Sequence, residues 1–349
     1  AVGVMALATG CTDLDVPLKS QYPEYPNTEI ARNAQMNGIY SHFRGVLGRR
    51  FYEAMSLSSD EQTAVSYSGG WIDGGTYSHP SLHDFNYEDN TIDWMGELGK
   101  GCVKANEVIN SNADDKYKMP ARAMRAYFEF VMMDCWGDAP ILDVTVEGND
   151  MTKRQPRAAV AKYIEKELLE IIPHLSTDAD EGRNGIPNKY MAQALLAKLY
   201  INWAVYTAAS VDKYDASSAT NEKLDACISV CDELINSGKF SLGSMAYRFK
   251  FGPNNSALHV EDFIYAMTYD TYTATGMQYG RANNYKDIKS MNPSYFGMKL
   301  SNSGGGYMTM TPEFANLFTL AGDERNRCVI GGQVYVYDPT TLLPTTQIA

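Results

Sequence analysis

Basic residues are scarce in this chain of 349 residues, which has 30 Lys and Arg against 42 Asp and Glu and a formal net charge of -12. An acidic surface repels the phosphates of nucleic acids and of anionic lipid headgroups, so neither is expected as a partner. Histidine and cysteine are also few, with five and six residues. Cys227 and Cys231 stand one helical turn apart, but no second pair of ligands is near them to complete a zinc site. They are therefore expected to be buried free thiols.

Catalytic motifs are missing as well. The sequence contains no Gly-x-Ser-x-Gly elbow, no Walker loop and no His-Glu-x-x-His. His79 and His83 are four residues apart, but Pro80 between them argues against a helix that would present both to a metal. The sequence thus predicts no catalytic residue, no metal and no cofactor. The 42 acidic residues still leave open a surface glycoside hydrolase, because that chemistry needs only two suitably spaced carboxylates.

Long apolar runs are also missing, and no internal segment reaches the roughly 20 residues that a membrane-spanning helix requires. The N-terminal stretch AVGVMALATG, residues 1–10, is typical of the residual hydrophobic region of a signal peptide. Leu7 to Cys11 resembles a bacterial lipobox, in which the signal peptide is removed before a cysteine that is then acylated. We therefore expect lipidation at Cys11 and a lipidated N-terminal tether over residues 11–27, with the lipid as the only membrane attachment.

Helical periodicity dominates residues 28–237. Apolar side chains recur every three or four residues in six segments. These segments begin near Thr28, Leu98, Pro120, Ala158, Lys189 and Leu224. The sequence predicts an all-α fold: a tetratricopeptide-like helical superhelix with long irregular loop insertions, in a single domain over residues 28–349.

Two long insertions, residues 56–97 and 250–311, interrupt the helices and are rich in Tyr, Trp and polar residues. Loops of this length inside a compact domain are usually functional. Sugar rings stack their C–H faces on aromatic side chains and need polar groups around the rim, so both loops are predicted to bind ligand. The candidate ligand-binding residues are Asp60, Glu61, Tyr67, Trp71 and Tyr77 in the first loop and Tyr272, Tyr279, Arg281, Asn283 and Tyr285 in the second. The other tryptophans, Trp94, Trp136 and Trp203, are expected in the core.

Five segments of the chain, taken in order, resemble the SusD/RagB family, the surface lipoproteins of Bacteroidetes that work with TonB-dependent SusC-like transporters. The segments are Cys11-Thr12-Asp13-Leu14-Asp15, RAMRAYFEFVMMDCWGDAPIL (122–142), RQPRAAVAKYIEKELLEIIPHL (154–175), GRNGIPNKYMAQALLAKLYI with INSGKFSL, and TPEFANLFTLAGDERNR. The resemblance covers residues 11 to 330.

The resemblance implies a non-catalytic lipoprotein of the outer membrane that faces the extracellular side. Such a protein captures oligosaccharide and delivers it to a partner SusC-like TonB-dependent transporter. Family members usually continue with a further Ala-rich helical pair. The fold is therefore expected to be C-terminally incomplete relative to the family.

Three alternatives remain open at the level of the sequence. In the first, the ligand is a peptide, as in RagB-like members, because tyrosines and an acidic rim suit peptides as well as sugars. In the second, the protein is a surface glycoside hydrolase. In the third, it is a helical-repeat scaffold that binds only protein.

Overall fold

The computed structural model describes residues 25–64, 77–86, 88–89, 92–143, 153–243, 245–251, 255, 259–269, 308–329, 335–338, 340 and 344–348. Its α-helices are α1 (Glu29–Gly45), α2 (Phe51–Leu57), α3 (Ser78–Leu82), α4 (Met95–Ile109), α5 (Asp115–Trp136), α6 (Arg157–Ile171), α7 (Ala179–Arg183), α8 (Lys189–Ile201), α9 (Trp203–Thr207), α10 (Leu224–Asn236) and α11 (Pro312–Ala315). A π-helical turn, Val46–Arg50, joins α1 to α2. The strands β1 (Gln62–Ala64), β2 (Met308–Met310), β3 (Tyr335–Tyr337) and β4 (Pro344–Ile348) form two antiparallel pairs, β1 with β2 and β3 with β4. Among the described residues, no helix combines the length and apolar composition that crossing a bilayer requires.

The long helices stack in the order of the sequence: α1 on α4, α4 on α5, α5 on α6, α6 on α8 and α8 on α10. Their facing sides are apolar and buried, with Leu98 and Cys102 on α4, Phe128 on α5, Ile164 on α6 and Leu195 on α8. A row in which each helix packs mainly on its neighbours is the arrangement of helical-repeat proteins. The predicted all-α superhelix is confirmed.

Two prolines lie differently from the prediction. Pro120 was expected to open its helix, but α5 begins at Asp115 and Pro120 is buried inside it. The missing N–H removes one helical hydrogen bond there, and burial of the ring between neighbouring helices offsets part of that cost. Pro80 was expected to prevent a helix between His79 and His83. It lies instead in the first turn of α3, where its missing N–H has no helical partner in any case.

The helical segment that begins near Lys189 ends at Ile201, and Asn202 separates this helix, α8, from α9. Trp203 and Tyr206 nevertheless stay buried. Trp94 is buried as predicted, and Trp136 is half-buried against it with ring centroids 4.4 Å apart. The core assignment is therefore confirmed for Trp94 and Trp203, whereas Trp136 lies at the edge of the core.

The cysteines of α10 are free thiols, and Cys227 is buried as predicted, whereas Cys231 is only half-buried. Cys227 is buried, and its Sγ donates a hydrogen bond to the carbonyl of Ala197 at 3.4 Å. Burial raises the pKa of the Cys227 thiol, so it stays protonated at neutral pH.

A buried ionic network links α4, α5 and α6. Glu167 on α6 accepts hydrogen bonds from Arg122 and from Arg125 on α5, each at 2.7 Å. The side chain of Arg125 is only 4% exposed, and it also donates to Asn106 on α4 at 2.7 Å. Burial alone raises the pKa of Glu167, but the two arginines outweigh this effect and lower it. Each buried charge in the network therefore has a partner of opposite sign.

The chain that follows α5 is held by two buried side chains. Glu129 on α5 accepts the N–H of Leu142 at 2.7 Å, and Asn106 on α4 donates to the carbonyl of Leu142 at 3.0 Å. Both side chains are fully buried. Because both main-chain polar groups of Leu142 are satisfied, this segment is fixed against α4 and α5 without a regular strand or helix.

Glu129 is expected to make stability depend on pH. Burial raises the pKa of Glu129 to about 8, although the charge of Arg125 opposes the rise. The folded state then keeps a proton that the unfolded state releases near its ordinary pKa of about 4.3, so stability falls as the pH rises from about 4.3 to about 8 and levels off above that. We expect Glu129→Gln to flatten this decline, since the amide carbonyl can still accept the N–H of Leu142.

Urea unfolding of the native protein and of this variant at several pH values checks the prediction. The free energy of unfolding of the native protein should fall between about pH 5 and 8, and that of the variant should stay nearly level. Equal slopes for the two proteins would show that Glu129 is ionised throughout.

Candidate functional site

A small β-ribbon brings together the two loops that the sequence singles out. β1 pairs with β2 in the register Gln62 to Met310 and Ala64 to Met308. The N–H of Thr311 donates to the carbonyl of Glu61 at 3.1 Å, and the Thr311 hydroxyl donates to the carbonyl of Asp60 at 2.6 Å. We call residues 60–64 and 308–311 the loop root. The first loop leaves the root after Ala64, at the same end of the ribbon at which the second loop arrives.

Tyr77, in the middle of the first loop, is the first described residue after Ala64. Its ring is 2% exposed and packs in a small apolar cluster with Leu57 and Met308. Its hydroxyl accepts a hydrogen bond from Arg49 at 3.1 Å and donates to Glu53 at 3.3 Å, and burial raises the pKa of the phenol. The prediction that Tyr77 offers its ring to a ligand therefore needs correction, because the ring is enclosed by the protein.

The remaining candidates of the first loop divide into two groups. Asp60 and Glu61 lie in the loop root with exposed side chains. Tyr67 and Trp71 lie outside the described residues. The described residues on either side of residues 65–76, Ala64 and Tyr77, both lie beside Met308 of the loop root.

The second loop leaves the helical scaffold next to the same region. Tyr265 packs edge-on against Phe43 of α1, and its hydroxyl donates to the carbonyl of Gly185 at 3.1 Å. The hydroxyl of Tyr269 stands 2.9 Å from where a Cβ at Gly48 would lie, so a larger residue in the π-helical turn would make this hydroxyl shift. Arg49 of the same turn holds Tyr77. The candidates of the second loop, Tyr272, Tyr279, Arg281, Asn283 and Tyr285, lie outside the described residues.

The histidines of α3 have protein partners. His79 Nδ1 pairs with Asp89 Oδ1 at 2.8 Å, and His83 Nε2 lies 3.1 Å from the carbonyl of Ser58. His83 has a positive φ of 56° and ends the helix. No group of three or more His, Cys, Asp or Glu side chains that could hold a metal ion occurs within the described ranges. The two histidines thus fix the polypeptide next to the loop root.

A cavity of about 590 Å³ lies where the chain approaching the second loop meets residues 322–325. Tyr247, Lys250, Glu324 and Arg325 line it, and the N–H of Tyr247 donates to Glu324 at 2.7 Å. Tyr247 and the exposed Phe251 pack with ring centroids 5.0 Å apart, and Lys250 forms an ion pair with Asp262. These residues were not among the sequence candidates. The alternation of aromatic and basic residues in YRFKF, residues 247–251, is the signal that could have identified them as candidates to line a cavity.

The likeness to known proteins is one of fold. No protein-family model and no curated protein matches the sequence. The chain is similar to a SusD superfamily protein from Bacteroides vulgatus, with a TM-score of 0.66 and 15% identity over 89% of this chain and 66% of that one. It is similar to surface glycan-binding protein A from Bacteroides uniformis, with a TM-score of 0.65 and 16% identity over 86% and 63% of the two chains. NanU from Bacteroides fragilis gives a TM-score of 0.63 and 17% identity over 85% and 61%.

The chain therefore has the fold of the SusD superfamily, and the predicted resemblance is confirmed at the level of the fold. It spans about two thirds of the length of these solved structures, with shares between 61% and 66% for the three named here.

Proposed function

We propose that this protein is a surface glycan-binding lipoprotein that captures oligosaccharide without cleaving it and delivers it to a partner SusC-like TonB-dependent transporter. In this proposal a lipid on Cys11 anchors it to the outer membrane, facing the extracellular side. The fold supports the proposal, because one solved structure of the same fold carries the name of a surface glycan-binding protein.

The observation that carries the proposal is the loop root. Because β1 pairs with β2, the stretch that contains Trp71 begins at the end of the ribbon where the stretch that contains Tyr272 to Tyr285 finishes. Trp71 is seven residues from Ala64, so a fully extended chain keeps it within about 25 Å of the root. Aromatic rings from both loops can therefore meet on one ligand, with Asp60 and Glu61 of the root available to hydrogen-bond sugar hydroxyls.

Replacing Trp71 with alanine is expected to abolish retention of the protein in a gel that contains the recognised polysaccharide. Loss of one stacking ring removes most of the contact of a shallow, weak site, whose dissociation constant we expect between about 1 μM and 1 mM. Affinity electrophoresis against a panel of polysaccharides and peptide pools measures the change. Tyr25→Ala removes a half-exposed ring outside both loops and serves as the matched control.

The outcomes of this experiment test the role of Trp71, the class of ligand and the absence of catalysis. A variant that is retained like the native protein contradicts a binding role for Trp71. A thermal melt that collapses in Trp71→Ala shows that the ring is part of the core. Retention by peptide pools alone overturns the glycan in favour of the peptide alternative, and release of reducing sugar by the purified protein overturns the non-catalytic role.

A further inference from the structure

A second cavity, of about 500 Å³, lies where the end of α5, the start of α6 and the segment after α9 meet. Its walls include Trp136, Asp138, Arg154, Arg157, Thr207 and Ser210. None of these residues belongs to the loop root or to the cavity beside Tyr247. Arg154 is exposed, and Val211 at the edge of the cavity is 76% exposed, so the cavity opens to solvent. Its volume falls within the range of about 300–1,000 Å³ that is usual for small-molecule sites.

Two arginines in this cavity are each held through Nε by a main-chain carbonyl. Arg154 Nε donates to the carbonyl of Asp138 at 2.9 Å, and Arg157 Nε donates to the carbonyl of Tyr206 at 3.3 Å. The Nη groups of both have no hydrogen-bond or ion-pair partner within the described ranges. By contrast, the guanidinium groups of Arg122 and Arg125 are bound to Glu167. Each guanidinium in the cavity is thus oriented through Nε, while its two terminal NH2 groups remain for a ligand.

The carboxylate of Asp138 does not cancel the positive charge of the two guanidinium groups. Its Oδ1 accepts the main-chain N–H of Arg157 at 2.9 Å, at the first residue of α6. The described residues that line the cavity include two arginines and one aspartate, so their net charge is positive in a chain whose formal net charge is -12. An anion is therefore favoured over a neutral or cationic ligand at this place.

Trp136 adds an aromatic wall and a donor. Its ring stands edge-on to Trp94 at 71° and is half-buried, so part of it faces the cavity that it lines. Its Nε1–H has no hydrogen-bond partner in the part of the chain that the structure describes. A tryptophan at the edge of a core usually finds a partner for this group, and here the cavity is where a ligand can supply one.

We propose that this cavity binds the carboxylate of an acidic sugar. The terminal nitrogens of Arg154 and Arg157 form the planar donor pairs that a carboxylate accepts in bidentate geometry. The apolar face of a sugar ring packs on Trp136, and a ring hydroxyl accepts the indole N–H. A neutral sugar leaves both guanidiniums without a counter-charge, and a small anion leaves the aromatic wall uncovered.

Titration of the whole chain with D-glucuronate, followed through the indole N–H signals of ¹⁵N-labelled protein, tests the proposal. Trp136→Phe identifies the Trp136 signal among the four tryptophans. We expect this signal to shift and saturate with a dissociation constant of about 1 mM, and D-glucose and acetate to bind at least about tenfold more weakly. Arg154→Gln and Arg157→Gln should each weaken glucuronate about tenfold, because each removes a charge-assisted hydrogen-bond pair.

Lys153→Gln is the matched control, since it removes the same charge from an exposed neighbour that does not line the cavity. Its affinity for glucuronate should stay within about twofold of the native value. Equal weakening by Lys153→Gln, or a Trp136 signal that glucuronate does not move, overturns the proposal. Acetate that binds as tightly as glucuronate overturns the sugar as the ligand. The Trp71→Ala variant should bind glucuronate normally, which separates this site from the loops.

Discussion

Replacing Glu167 with alanine is expected to lower the free energy of unfolding by about 3–5 kcal/mol, because it leaves a buried charge without its partner. Glu167 holds both Arg122 and Arg125, and the side chain of Arg125 is almost completely enclosed. The alanine removes the only carboxylate within the described residues that is hydrogen-bonded to Arg125. Urea unfolding at neutral pH measures the loss.

Glu170→Ala provides the matched control for this prediction. Glu170 lies on the same helix and also pairs with Arg122 at 2.7 Å, but its side chain is 47% exposed. Exposed pairs contribute at most about 1 kcal/mol, so this variant should unfold close to the native protein. Similar losses for both variants would mean that the network acts through the charge of α6 as a whole and not through the burial of Arg125.

Replacing Gly101 with alanine is expected to destabilise the protein by about 1–3 kcal/mol through overpacking. An alanine Cβ at this position of α4 would stand 2.6 Å from the ring of Phe128 on α5. The ring is fully buried and cannot move away without disturbing other helices. The better helix propensity of alanine recovers only about 1 kcal/mol.

Gly99→Ala, two residues away on the same helix, should have the opposite sign. Its Cβ would lie 3.7 Å from Leu142, which is an ordinary contact, so the gain in helix propensity should stabilise the protein by up to about 1 kcal/mol. Combining Gly101→Ala with Phe128→Leu should destabilise less than the sum of the two single changes. Chemical denaturation of the native protein, the three single variants and the double variant checks both signs, and strict additivity would contradict the contact.

The helices could be predicted because their signals are local. Thr28 caps α1 by accepting the N–H of Ala31 at 3.3 Å, and Gly137 and Gly238 end α5 and α10 with positive φ. The start of α5 could not be placed, because proline is common at the first position of a helix and only the packing of α5 reveals that Pro120 lies inside it. Tertiary contacts overrode the local preference there.

The candidate site was predictable only in part. Composition identified the two aromatic-rich loops. The pairing of β1 with β2 could not be predicted, because these three-residue strands are far apart in the chain and carry no periodic signal. Composition also could not separate Tyr77, whose ring fills an apolar cluster, from a ring that meets a ligand. The Nε bonds that orient Arg154 and Arg157 depend on main-chain carbonyls, and no residue pattern reports those.

The ribbon at the loop root also has a consequence for the order of folding. The helical stack is built from contacts between successive helices, which form quickly because little chain must be closed between them. Joining Gln62 to Met310 instead closes a loop that contains α3 to α10, and this carries a larger entropic cost. We therefore expect the stack to form first and the two strands to meet on it, so that the ribbon between the two aromatic loops is assembled last.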